Sequence, residues 1–67
     1  MEDGFTYYQV NVSTKDPDKE FHIRAMTNGA DAYSVHNGLV FVIDINWVGW
    51  MFPLENIRYI NSHKSEE

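Results

Sequence analysis

Residues 35–53, VHNGLVFVIDINWVGWMFP, decide how this chain folds. The stretch opens on Asn37-Gly38 and runs through Leu39, Val40, Phe41, Val42 and Ile43. It breaks at Asp44-Ile45-Asn46 and recovers into Trp47, Val48, Trp50, Met51 and Phe52. β-Branched and aromatic side chains at this density suit a pleated, half-buried surface. A run that is apolar on both faces needs cover on both sides, and the other segments read as that cover.

Asn-Gly between two such runs is a strong hairpin signal, because a type I′ turn needs positive φ at both central residues. Residues 33–36 and 39–44 are therefore predicted as paired strands, with Tyr33 and Val35 sharing a face. The break at Asp44-Ile45-Asn46 predicts the next turn, and residues 47–52 the next strand. Pro53 ends it, since proline cannot donate to a central ladder. Residues 53–56 then fit one 3₁₀ turn, and residues 57–61 a last short strand.

Upstream, residues 5–13 alternate, with Tyr8, Val10 and Val12 on one face and Phe5, Tyr7, Gln9 and Asn11 on the other. Period two with one cleaner apolar side predicts a half-buried strand. Lys15-Asp16-Pro17-Asp18-Lys19 supplies turn chemistry. Residues 20–26 alternate again, Phe21, Ile23 and Ala25 against His22, Arg24 and Met26, and close an antiparallel hairpin. Residues 27–29 break the chain, and residues 30–32 form an irregular or short helical turn. No segment carries the i, i+3, i+4, i+7 stripe of a three-turn helix. The expected fold is all-β: five to six short antiparallel strands in a strongly bent sheet or a small, partly open barrel. Domain organisation follows, with an acidic tail at residues 1–4, one β domain at 5–61 and a polar tail at 62–67.

A chain of 67 residues buries only about 60% of its unfolded surface. There are no cysteines, so neither a disulfide nor a thiolate metal site can help. Stability falls to packing, and ten aromatic residues are the means. The opening Met1-Glu2-Asp3-Gly4 is acidic, unlike a signal peptide, and no apolar run approaches the roughly 20 residues of a membrane span. A cytoplasmic, soluble protein without membrane contact is expected. The net charge is −5, but Glu2, Asp3, Glu66 and Glu67 hold four of those charges at the two ends. Between them six acids stand against five bases, a nearly neutral body.

Candidate chemistry is sparse. Asp16, Asp18 and Glu20 alternate like calcium ligands, but the glycine and glutamate of an EF-hand loop are replaced by Phe21 and Thr27. His22, His36 and His63 lie on three separate segments without metal-ligand spacing, so no metal or cofactor is expected. Ser34 and His36 share a strand face, yet an orienting group and oxyanion donors are missing. The chain is expected to be no enzyme. Aromatics weigh more. On a regular strand Val48, Trp50 and Phe52 share one face and Trp47, Gly49 and Met51 the other. One core cannot hide both faces. With Trp50 and Phe52 inside, Trp47 and Met51 form an exposed apolar pair, extended by Tyr7 and Phe5. Residues of these types are enriched at protein interfaces, so a protein partner is expected, with a homodimer or simple internal packing as alternatives. Nucleic acid is disfavoured: Arg24, Arg58 and Lys64 are the only bases outside the first hairpin loop, too few for a phosphate-tracking groove, with Arg24 and Arg58 the residues such a partner would use.

Two resemblances accompany this reading. A 3₁₀ turn just before a short final strand resembles the ending of SH3-like barrels, without the ligand-binding motifs of the peptide-binding SH3 domains. It implies the barrel alternative for the fold and leaves a nucleic-acid-associated SH3- or Lsm-like barrel as a second functional class, a self-assembling structural subunit being the third. The small size, absence of cysteine and acidic ends (Glu2, Asp3, Glu66, Glu67) resemble the small acidic accessory proteins of bacteriophages. That resemblance implies a viral inhibitor or modulator that occludes a site on a larger host protein in the host cytoplasm.

Overall fold

A computed structural model describes residues 4–28 and 31–65. Six strands follow one another: β1 (Thr6–Thr14), β2 (Lys19–Thr27), β3 (Ser34–His36), β4 (Leu39–Ile43), β5 (Gly49–Pro53) and β6 (Ile57–Lys64). A 3₁₀ turn at Leu54–Asn56 separates the last two. Every pairing is antiparallel, in two three-stranded sheets ordered β2-β1-β6 and β3-β4-β5. The all-β expectation, the six strands and the 3₁₀ turn all hold; the two sheets do not close into a barrel. They meet where Ala25 bridges Asp44 and the Ile45 N–H donates to the Arg24 carbonyl (3.0 Å).

The core lies between the inner faces. Val10 and Val12 of β1 and Ile23 and Ala25 of β2 meet Val40 and Val42 of β4, Phe52 of β5 and Ala32. The apolar faces expected of residues 5–13 and 20–26 thus supply Val10, Val12, Ile23 and Ala25 to the core. Asn37 (φ 51°) and Gly38 (φ 75°) both take positive φ, as the two-residue turn between His36 and Leu39 demands. The Leu54 N–H donates to the Gly38 carbonyl (2.8 Å), and Asn56 bonds the backbone of Asp16 through both ends of its amide (2.8 and 3.1 Å). The 3₁₀ turn is thereby pinned to two hairpin tips at once.

Several expectations need correction. The last strand continues past Asn61: Ser62, His63 and Lys64 pair with Val10, Gln9 and Tyr8, and the Ser65 N–H donates to the Tyr7 carbonyl (2.8 Å). A strand at a sheet edge needs no apolar alternation to pair, so polarity alone concealed it. Met26 is buried although alternation set it opposite Phe21, Ile23 and Ala25, and Val35, expected to share a face with Tyr33, is 53% exposed on a strand exposed throughout. β3 pairs only with β4, at the margin of its sheet, so Val35 lacks cover. The fifth strand begins at Gly49 instead of Trp47. The predicted tail residues 1–3 and 66–67 lie outside the described residues, as do residues 29–30. No helix among the described residues is long and apolar enough to cross a membrane.

Candidate functional site

The two outer faces differ sharply. On β2-β1-β6 the outward side chains bond one another: Asn11 Nδ2 donates to Asn61 Oδ1 (3.0 Å), and Gln9 Nε2 donates to Asn11 Oδ1 (3.2 Å). His22 Nδ1 donates to the same oxygen (2.8 Å), and the Tyr59 hydroxyl donates to Glu20 Oε2 (2.9 Å). The polar groups of this face thus find partners within the face itself. The Glu20 carboxylate accepts that phenolic hydrogen bond and its negative charge opposes a phenolate, so both raise the Tyr59 pKa above 10.0. A raised folded-state value means the contact is at full strength below the unfolded pKa and is lost as pH rises through the folded one. The difference in 295 nm absorbance between wild type and Tyr59→Phe is expected to titrate above pH 10, and Glu20→Ala to bring the midpoint down. A midpoint at or below 10 in the wild type would refute the contact.

On β3-β4-β5 the outward face is apolar. Register places Phe41 opposite Met51 and Ile43 opposite Gly49, turned away from the side that buries Val40 and Val42. Met51 is 62% exposed and Ile43 46%. Phe41 and Ile43 also line a groove of about 520 Å³ whose wall includes Phe5, Met26, Tyr33 and Trp47.

Trp47 stands at this groove because of the turn before it. Asp44 starts the turn: its carbonyl accepts the Trp47 N–H (3.0 Å), and its own N–H donates to the Val48 carbonyl (3.0 Å). Its Oδ1 accepts the N–H groups of Asn46 (2.8 Å) and Val48 (3.0 Å), as aspartate commonly does in turns. Oδ2 accepts the Trp50 indole N–H (3.0 Å). These bonds hold the Asp44 carboxyl below its ordinary pKa of 3.8; the indole N–H contributes most, then Val48, with desolvation opposing and Asn46 adding to them. Hairpin loops of three residues end on a left-handed position that favours glycine. Here that position is Trp47, at φ 63°. The left-handed backbone swings its indole out of the strand alternation and onto Phe5, edge to face at 5.6 Å and 89°. It remains 62% exposed.

Of the four residues expected at a contact surface, the structure brings Trp47 and Phe5 together in the groove. Met51 lies beyond it, across Phe41, and Tyr7 sits opposite Met26 on the other sheet without lining the groove. Trp47 and Met51 are not neighbours on one strand face, because the strand begins after Trp47. Trp50 is half-buried, stacked on Phe52 (6.2 Å, 10°) with Phe21 against both rings. The pair Arg24 and Arg58 is not assembled. Arg58 bonds Asp18 at the β1–β2 turn (2.9 Å), whereas Arg24 lies opposite Gln9, six residues beyond Asp18 and about 20 Å further along the chain. Among the described residues no three His, Asp or Glu side chains are grouped to hold a metal ion.

Phe41, Ile43 and Met26 escaped the sequence reading as site residues. The signal for the first two was present: if Val40 and Val42 face the core, Phe41 and Ile43 face away. Comparison with known proteins gives no match to a protein-family model, to a curated protein or to a solved structure.

Proposed function

We propose that this chain is a non-catalytic protein-binding module whose contact surface centres on Trp47 and the groove beside it, with Phe5, Phe41 and Ile43. The observation that carries this reading is the backbone under Trp47. A bulky residue in the left-handed region costs about 1–2 kcal/mol, and such strain concentrates at functional positions. Here it holds an indole in water at 62% exposure, where it adds nothing to the core. Tryptophan is the residue type most associated with binding hot spots. The mode of action that fits a domain with so little else is occlusion: the small module covers a functional site on a larger protein, as the small acidic accessory proteins of bacteriophages do in a host cytoplasm.

Trp47→Gly is the informative variant. It relieves the left-handed strain and loses the Phe5 ring contact, worth about 0.5–1.5 kcal/mol, so stability is expected to shift by no more than about 1 kcal/mol. Affinity capture from lysate is expected to lose its partner nonetheless, by about thirtyfold or more in binding. Full retention of partners by a folded Trp47→Gly protein would overturn the reading. A rise in solution mass with concentration, abolished by the same variant, would instead assign the surface to self-association.

A further inference from the structure

The groove beside Trp47 has a chemistry of its own. Four aromatic residues line it, Phe5, Tyr33, Phe41 and Trp47, and among the described residues Asp31 is the one charged member of the lining. None of the five basic residues of the chain belongs to the lining. Phe5 and Trp47 stand at right angles, and in an edge-to-face pair each ring keeps at least one face that the other does not use. Aromatic faces carry negative quadrupole density and attract cations, tryptophan most strongly. The fold already uses this contact once, with Lys19 Nζ 4.9 Å from the centroid of Phe21. Asp31 adds a negative charge to this lining, which attracts a cationic occupant and does nothing for a neutral apolar one.

Resting on the reading of Trp47 as the contact surface, we propose that this groove seats a cationic side chain, lysine or arginine, borne on an apolar segment of the protein partner. The alkyl stem lies along Met26 and Ile43, in the manner of long basic side chains on apolar surface. The charged head meets the ring faces and Asp31. A volume of about 520 Å³ falls within the size of small-ligand sites and takes one such side chain with part of its neighbours.

The test uses the full chain and two capped pentapeptides, Leu-Ser-Lys-Leu-Ser and the same peptide with norleucine for lysine. Proton and amide NMR titrations are expected to show the lysine peptide binding at least about fivefold more tightly. Its ε-methylene resonance should move upfield, a shift that only stacking over ring faces produces. Asp31→Asn, at an exposed position that leaves folding intact, should reduce the preference to about twofold or less, and added salt should weaken it. Equal binding of both peptides, or a lysine preference that Asp31→Asn leaves unchanged, overturns the proposal. So does failure of the lysine peptide to perturb the groove. If Trp47→Gly nevertheless loses its captured partner, the contact surface stands and only the cationic occupant is refuted. A groove filled by a second copy, seen as concentration-dependent doubling of mass, also overturns it.

Discussion

Phe52→Ala is expected to leave the chain without a cooperative thermal transition above 25 °C. Phe52 is buried between the sheets, opposite Val40, with its ring 5.4 Å from Phe21 and parallel to Trp50. Truncating a buried phenylalanine to alanine costs about 3–5 kcal/mol. A domain of 67 residues has roughly 3–10 kcal/mol in all, so one ring accounts for much of what keeps it folded. The other large core side chains cannot close the gap, because the fully buried ones are the valines Val10, Val12, Val40 and Val42. Phe52→Leu keeps most of the volume and loses the stacked rings, for an expected cost of about 1–2 kcal/mol. Far-UV circular dichroism against temperature and urea checks both. A Phe52→Ala protein melting within about 5 °C of wild type would show that the second sheet is not held by this ring.

The same residue shows how much of the architecture was legible. Strict alternation in residues 5–13 and 20–26 places Val10, Val12, Ile23 and Ala25 inside, and the core contains all four. Asn37-Gly38 fixes the central hairpin through backbone φ alone, which is why that turn is read correctly from two letters. Proline at 53 ends β5 and leads into the 3₁₀ turn. Local chemistry decides each of these, so the local sequence suffices.

Failures occur where a distant partner decides. His63 is a strand residue only because Gln9 lies beside it, and Val35 is exposed on a strand that pairs on one side alone, at the edge of its sheet. For the site, the sequence identified an excess of rings and named Trp47 and Phe5, which do meet. It treated Trp47 as one position in a regular strand and so joined it to Met51. Alternation carries no information about a left-handed residue, and a tryptophan in a position that favours glycine is the last thing that pattern suggests. The groove itself needs residues 5, 26, 33, 41 and 47 from five separate segments.

That single turn makes Asp44 the residue on which stability and contact surface meet, and Asp44→Asn is expected to damage both. An aspartate offers two acceptors: Oδ1 serves the N–H groups of Asn46 and Val48, and Oδ2 serves the Trp50 indole. Asparagine offers one acceptor oxygen and an NH₂ group that only donates. Whichever way its amide turns, an NH₂ group confronts either the indole N–H or the turn N–H groups. The melting temperature is expected to fall by roughly 5–10 °C. Partner capture should weaken although Trp47 is still present, because the turn no longer fixes its left-handed backbone. In a Trp50→Phe background the indole donor is gone, so Asp44→Asn should cost distinctly less there; equal losses in both backgrounds would show that the two side chains are not coupled. Acid supplies the same change without mutagenesis. The folded-state pKa of Asp44 is depressed, so its contribution is complete above the unfolded carboxyl value of about 3.9 and is lost as pH falls through the lower folded value. Wild-type melting temperature should therefore drop in that acid window, and Asp44→Asn should drop less. A variant as acid-sensitive as the wild type would place the titrating group elsewhere.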